Sequence, residues 1–575
     1  MAKQSNLPAV QGQEQEQDAI VLPQWTVADF EDTDIPYRFL LVNRKKSKNR
    51  FEKVYAKAIK LAKQLGISNL EFEKRWRAYN SEYGRPEYAS NENNLIAFPD
   101  QDYGLCSGKY LCNLDGVRYW NSNEEIIVIR HPIFPIERIV DVDTNEQKLL
   151  IKYGFTDMGK NVEWSETIVS REMLASAQRI IGLAKLGVAV TSENAKEVVK
   201  YISEVEQINR PKLAIQRSAS HMGWLPNGQF APYAEDIVFG GDSEEFQKLY
   251  DGFKPEGSEE KWLEIVRKVR NGKSIPARIA LAASFAAPLV HKLGALSFFV
   301  HLWGENGTGK SVALMLGASV WCNPVIGSYI KSFSATKVSQ ELFAAFCCNL
   351  PVFMDELQVI ADRRLFDDII YALCEGVSKG RGTKDGGLQL SRRWETVFVT
   401  TGEMNIVQSN SGGGAAVRTI EVGFGGEPFF DDARAVANTL KENYGWAGKK
   451  FIEAITATSK EDLNKWQKEF YDELSGDVQD KQVLSASILL VADKLADMYI
   501  FHDGKALTAK DIAPKLVSKA DSDRSKKTYD HLCEWVTKNK CQFLEDSQDR
   551  HGLWGDYDEK KNIVYVFRED IDRCL

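Results

Sequence analysis

The stretch LSFFVHLWGENGTGKSVALMLGASVW, residues 296–321, decides the reading of this chain. It runs from an apolar strand (296–302) through a glycine loop into an apolar-periodic helix (311–321), and its centre fits G-x-x-x-x-G-K-[ST] with Gly304, Gly309, Lys310 and Ser311 in register. By composition alone the bare pattern turns up in roughly one chain of this length in fifty, so the strand before it and the helix after it carry the weight. Glycines let a loop wrap phosphates with backbone N–H groups, and a helix N-terminus adds partial positive charge. The loop Gly304, Glu305, Asn306, Gly307, Thr308, Gly309 is therefore expected to cradle a triphosphate. Lys310 should reach its β- and γ-phosphates and the Ser311 hydroxyl should bind Mg²⁺.

Such a loop needs an acid at the end of a neighbouring strand, and NLPVFMDEL (349–357) supplies two. Asp355 is expected to orient the metal and Glu356 to polarise the attacking water as general base, a pairing that favours an ATPase over a GTPase-like switch. After a helix (LFDDIIYALCEGV) comes KGRGTKDGGLQLSRRWETVFVTTGE. Its strand 395–400 ends on Thr401, and Thr401 or Glu403 is a candidate sensor of the γ-phosphate. Lys379, Arg381 and Lys384, spaced among glycines, read as an exposed hairpin that would grip phosphates in a ring's channel, against the plainer reading of a surface loop. Arg418, just before the strand TIEVGF, is the candidate arginine finger reaching a neighbour's γ-phosphate. Arg392 and Arg393 compete for that role, and a surface arginine is the bland alternative.

Outward from this centre, the order from 274 onward is helix, strand, loop, helix and then alternating strands and helices, which predicts a parallel α/β sheet. Residues 1–25 are polar and Gln/Glu-rich, expected as a disordered tail. Residues 26–100 read as a small basic helical domain in which Arg44, Lys45, Lys46, Lys48, Arg50, Lys53, Lys57, Lys60 and Lys63 share one stretch with a single acid, Glu52. Lys45, Lys46 and Arg50 are candidate DNA contacts, with a solvated helix face as the equal rival. Residues 101–272 read as mixed β/α, 273–428 as the ATPase core, 429–505 as helical, and 506–575 as two helices followed by a hairpin, a winged-helix-like pattern.

The 575 residues are 43% hydrophobic and 27% charged, enough apolar surface for three or four cores. The net charge of −8 gives no global pull toward nucleic acid, so any such contact must be local. Nine scattered cysteines point away from a disulfide scaffold and toward a reduced, cytoplasmic protein. Cys106 and Cys112 are weighed as half a metal site and set aside for small residues in a strand hairpin. Trp224 and Phe230, around a Pro-Asn-Gly turn, are assigned to a hairpin core over base stacking. The most apolar segment, 275–300, is broken by Arg278, His291 and Lys292, which predicts no membrane span.

In order, HLWGENGTGKS, LPVFMDELQ, KGRGTKDGG with WETVFVTTGE, and GGGAAVRTIEV resemble the helicase-like ATPases of the domain-of-unknown-function 927 family, whose relatives in bacterial mobile elements are MCM-like, self-loading replicative helicases. The likeness runs over about 103–429 and leaves the first hundred residues uncovered. It implies an AAA+ P-loop core, ATP and Mg²⁺ as cofactors, nucleotide on Lys310 and Ser311, metal and base on Asp355 and Glu356, Thr401 as sensor, Arg418 as finger and Lys384 on the hairpin. Many AAA+ proteins carry Asn where Thr401 stands. The expectation is a ring-forming, hexameric helicase or translocase that binds single-stranded or forked DNA in replicating a prophage or mobile element. The alternatives are a nucleotide-gated assembly factor and, more weakly, a primase-helicase.

Overall fold

The computed structural model describes residues 21–571 except 100, 122–123, 157–161, 334, 357–363, 381–390, 407–412, 426–428, 520–523, 544–552, 559 and 562. The expected tail therefore lies almost wholly outside the described residues. The chain forms two compact units, Met1–Val140 with Glu146–Gln216, and Asp141–Asn145 with Arg217–Leu575. The division at 216 falls inside the stretch 101–272 that reads from sequence as one region.

The first unit opens with helices α1 (Val27–Glu31), α2 (Ile35–Lys46), α3 (Lys48–Gln64) and α4 (Asn69–Tyr83). Thr26 and Asp29 form a capping box at α1, and the Ser68 hydroxyl caps α4 by accepting from Glu71 N. Their packing is aromatic: Phe30, Tyr37, Phe72 and Trp76 are buried together. The basic stretch is two helices, because Ser47 takes extended backbone (φ −167°, ψ 138°) between α2 and α3. α3 buries Val54, Ala58 and Ala62, one per turn, and leaves Lys53, Lys57, Lys60 and Lys63 exposed.

Eight strands follow: β1 (Asn94–Phe98) pairs with β2 (Gln101–Gly108), β3 (Tyr110–Asn113) with β4 (Gly116–Asn121), β4 with β5 (Glu124–Ile129), and β6 (Ile133–Asp141), β7 (Gln147–Thr156) and β8 (Val162–Ser170) run in sequence, all antiparallel. Cys106 on β2 and Cys112 on β3 thus belong to different strand pairs instead of one hairpin. The apolar spacing of the sequence reads as helix over 171–186 and 192–209. The first is only a turn, α5 (Arg171–Leu174), followed by a 3₁₀ segment at Ile180–Leu186 that Gly187 ends at φ 83°, and the second is α6 (Ala195–Asn209).

Strand β9 (Ala214–Ala219) carries the chain into the second unit. There β10 (Gly223–Trp224) and β11 (Phe230–Ala231) pair around the Pro-Asn-Gly turn, and β12 (Ile237–Phe239) runs parallel to β9. Trp224 and Phe230 are buried with ring centroids 4.9 Å apart, and the indole N–H donates to Pro288 O at 2.9 Å, so both are core residues. Helices α7 (Glu244–Asp251), α8 (Glu259–Asn271) and α9 (Ile275–Lys292) lead into β13 (Phe298–Trp303), α10 (Lys310–Ser319), β14 (Ile330–Ser332), α11 (Lys337–Cys347), β15 (Val352–Asp355), α12 (Arg364–Cys374), β16 (Val397–Gly402), α13 (Gly413–Ala416) and β17 (Thr419–Gly423).

These five strands form one parallel sheet in the order β14-β15-β16-β13-β17. Every residue of β15 and β16, and all of β13 but Trp303, is buried, as helices on both faces require of a parallel sheet. Beyond it lie α14 (Ala433–Glu442), α15 (Gly448–Ala457), α16 (Lys460–Leu474) and α17 (Asp480–Ala496). Arg270 at the end of α8 is bound to α17 and the loop after it through Asp493 (2.8 Å), Asp497 (3.0 Å) and Asp503 (2.8 Å), three carboxylates that offset the cost of burying one guanidinium. The chain ends in α18 (Ala509–Ile512), α19 (Arg524–Lys538), the antiparallel hairpin β18 (Gly555–Asp558) and β19 (Ile563–Val566), and α20 (Arg568–Ile571). Among the described residues no helix is long and apolar enough to cross a membrane.

Candidate functional site

Parallel strands bring their carboxyl ends to one edge, and here the register aligns Leu302 with Thr401, Trp303 with Gly402, and Met354 with Thr400. The glycine loop leaving β13, the acids leaving β15 and the threonines ending β16 therefore meet at that edge. Gly304 has φ 146°, and a Cβ there would lie 2.7 Å from the Phe424 carbonyl. Gly309 takes φ 93° as it starts α10, a conformation in which a side chain is strained. Inside the loop the Thr308 hydroxyl donates to Glu305 O at 2.9 Å, and Asn306 Nδ2 donates to Glu403 Oε1 at 2.8 Å.

Lys310 is buried at the head of α10, its ammonium donating to the carbonyls of Gly304 and Glu305, both at 2.7 Å. Burial lowers its pKa, opposed by the nearby charges of Glu403 and Asp355. Next to it, Ser311 Oγ lies 3.4 Å from Asp355 Oδ1. Asp355, also buried, accepts from the Thr401 hydroxyl, and the Glu356 N–H reaches both Asp355 Oδ1 and Thr401 Oγ1 at 3.2 Å. Glu356 itself is exposed and has φ 61°. Holding a non-glycine residue there costs about 1–3 kcal/mol, and such residues cluster where a side chain must be aimed.

Behind this group sits a residue that the motif does not contain. His301, buried mid-strand in β13, has Nε2 2.9 Å from Met404 O and Nδ1 2.8 Å from Thr400 Oγ1. A carbonyl only accepts, so Nε2 carries the proton and Nδ1 accepts from the hydroxyl. Burial, with help from the Lys310 charge, brings the imidazole pKa down to about 4 against the bond to Met404. A neutral ring thus ties the loop-bearing strand to the threonine strand. Its sequence signal is a lone polar residue inside an apolar buried strand.

The remaining candidates lie elsewhere. Arg418 stands at the amino end of the edge strand β17, where its carbonyl accepts from Phe299 N at 2.8 Å. Phe299 begins β13 whereas the glycine loop ends it, so Arg418 is remote from the loop of its own chain. Its Nη1 donates to Gly414 O at 2.9 Å and its guanidinium lies 4.8 Å above the Tyr371 ring. Val377 and Arg393 form an antiparallel bridge, with Arg392 N donating to Ser378 Oγ at 2.9 Å, so these two segments lie side by side. Lys379 is exposed next to them, and Arg381 and Lys384 of the expected hairpin lie outside the described residues. Of the amino-terminal cations, Lys45 and Lys46 are exposed, while Arg50 Nε is bonded to Asn43 Oδ1 at 3.0 Å and Arg44 Nη1 to Asn80 Oδ1 at 2.6 Å. Among the described residues no group of three or more His, Cys, Asp or Glu side chains could hold a metal ion, Cys106 and Cys112 included. Burial pushes the Cys112 thiol up to about 11.

Residues 111–393 match the model of the family described as "Domain of unknown function (DUF927)". No curated protein matches the chain in sequence. Among solved structures, the chain is similar to "SCCmec type IV Cch - active helicase", with 17% identity and a TM-score of 0.59 over 81% of this chain and 90% of that one, a likeness of fold. "The A form apo structure of NrS-1 C terminal region-CTR" aligns at 10% identity and a TM-score of 0.25 over 67% of this chain and 90% of that one, too distant to carry an argument.

Proposed function

We propose that this chain, whose segment 111–393 belongs to the DUF927 family, is an ATP-dependent DNA helicase or translocase of the AAA+ P-loop kind, working as a hexameric ring in the replication of a prophage or mobile element. The observation that carries the reading is the meeting of Ser311 and Asp355 at the mouth of a three-glycine loop, with Lys310 beside them. It is supported by β16 lying between the strand that bears the loop and the strand that bears the acids, which sets Thr401 against Asp355.

The residues fit a triphosphate and a small hard cation. The ammonium of Lys310 is held by two loop carbonyls that phosphate oxygens can displace, and Ser311 and Asp355 offer the one or two protein oxygens that Mg²⁺ usually takes, its shell otherwise being phosphate and water. Bound there, Mg²⁺ would neutralise charge on the phosphates. Glu356 would take a proton from the attacking water, and Thr401 would hold Asp355 and the Glu356 backbone in place. Arg418, remote from its own loop, would act on the neighbouring subunit's, which makes turnover depend on assembly. The hairpin based at 377–393, with Lys379, Arg381 and Lys384, would grip single-stranded DNA in the channel, and Lys45, Lys46 and Arg50 would add contacts from the first unit. The helix and hairpin of 524–571 fit a winged-helix-like module.

The test is the ATPase rate of the purified chain with and without single-stranded DNA, its mass in ATP, and strand separation on a forked duplex. DNA-stimulated turnover by a hexamer that opens the fork supports the reading. ATP turnover with neither stimulation nor unwinding would replace it with the nucleotide-gated assembly factor.

A further inference from the structure

The glycine loop has two sides, and the acids occupy one of them. β13 lies between β16 and β17 in the sheet, and β15, which carries Asp355, lies beyond β16. On the other side, the chain leaving β17 folds against the loop. Phe424 N donates to Trp303 O at 2.7 Å, and a Cβ on Gly304 would lie 3.4 Å from Phe424 Cβ. Phe429 meets the loop's other end, where a Cβ on Gly309 would lie 3.4 Å from Phe429 Cβ and 3.9 Å from its ring carbon Cδ1.

Phe429 differs from the aromatic residue next to it. Phe430 is buried in the core of the second unit, whereas Phe429 is half-buried at its edge, with the two ring centroids 4.2 Å apart and the planes inclined at 52°. The neighbouring elements are apolar as well. Val312 in the first turn of α10 is half-buried, and so are Ala433 and Val436 on α14, which packs along α10.

A triphosphate in the loop has a direction. Its γ end would lie with Asp355 and Thr401 on the β15–β16 side, and its α-phosphate on the backbone N–H groups that open α10. The nucleoside would then leave on the β17 side, where Phe429 stands. We propose that Phe429 is the base platform of this site, its ring stacking on the purine of the bound nucleoside triphosphate. The proposal rests on the nucleotide reading of the loop and adds to it the group that holds the base. A phenyl ring offers its face to any base, so Phe429 supplies affinity instead of discrimination between adenine and guanine.

The test compares ATP with tripolyphosphate, which has the phosphates and lacks the nucleoside, each titrated with Mg²⁺ into the full chain by calorimetry. Phe429→Leu keeps an apolar side chain at the edge of the core and removes the ring face. It should weaken ATP at least about fivefold, the low end of what a stacked base contributes, and leave tripolyphosphate within about twofold. Phe429→Trp should restore the affinity for ATP. Photolysis of the unmutated chain with azido-ATP, its azide on the adenine ring, should label the tryptic peptide 419–434, which contains Phe429. ATP weakened no more than tripolyphosphate in Phe429→Leu, or the label falling on other peptides, would overturn the base platform while the loop reading stands. An unmutated chain that binds neither ligand would overturn both. The labelling needs no variant to fold.

Discussion

Ser311 Oγ and Asp355 Oδ1 stand 3.4 Å apart although 44 positions separate them. A cation bridging nucleotide and protein would rest on this pair, while on the proposed reading Lys310 would meet the phosphates directly. Asp355→Asn is therefore expected to weaken ATP binding only when Mg²⁺ is present. Lys310→Ala should weaken it in either case, by about tenfold to a hundredfold for a lost charged hydrogen-bond donor. Calorimetric titration with ATP, with and without the cation, separates the two. Equal losses from both variants under both conditions would dissolve the division of labour.

Glu356 combines exposure with a left-handed backbone. Glu356→Gln should keep nucleotide binding and lose turnover by roughly 10²- to 10⁴-fold, the usual worth of a positioned base. Glu356→Gly should lose turnover equally and yet melt above Glu356→Gln, because glycine relieves a strain of about 1–3 kcal/mol. A Glu356→Gly variant that melts lower would mean the φ of 61° is unstrained.

His301 makes the second unit sensitive to acid. Its pKa is about 4 when folded against 6.5 as a free side chain, so between those values the unfolded chain binds the extra proton. Stability from this group is complete above about pH 6.5 and falls as pH drops toward 4, by up to about 1.4 kcal/mol per unit. Thermal melts from pH 7 to 4.5 should steepen in the unmutated chain and flatten in His301→Asn. Parallel curves for the two would assign the acid sensitivity to other groups.

Arg418 is expected to act across a subunit boundary. Lys310→Ala and Arg418→Ala chains should each be inactive, Arg418→Ala by about 10³-fold or more, and mixing them should restore part of the ATPase, since some interfaces then join an intact loop to an intact arginine. A mixture as inactive as its components would leave Arg418 its observed role only, that of tying Gly414 to the Tyr371 ring.

The exposed Lys45 and Lys46 predict a salt signature. If they contact DNA phosphates, Lys45→Ala/Lys46→Ala should lower the slope of log affinity against log salt by about 1.4 for single strands, at about 0.7 per contact. An unchanged slope, measured by fluorescence anisotropy, would leave them as a solvated helix end.

Much of this molecule is legible locally. The strand, loop and helix around Lys310, the strand ending at Asp355, and the buried Trp224–Phe230 hairpin all follow from residues close in sequence, where glycine conformations and unbroken apolar runs act directly. The break at Ser47 escapes such reading because lysines and arginines on both sides of it favour helix, and one extended residue separates two helices that bury their apolar faces in the same core. At 171–186 the periodic pattern overstates the helix: the chain leaves α5 at Ala175 and resumes as a 3₁₀ segment at Ile180–Leu186 that Gly187 closes.

By itself, then, the sequence determined which residues are candidates for phosphate and metal, because glycine, lysine, serine and aspartate at this spacing supply the backbone freedom, charge and oxygens that such a site needs. Only the tertiary structure decided that Thr401 bonds Asp355, that His301 links β13 to β16, and that Arg418 lies away from its own loop. Each of these depends on strand order and register, which are set by burying the whole apolar sheet at once, and no short stretch of residues encodes that minimum alone.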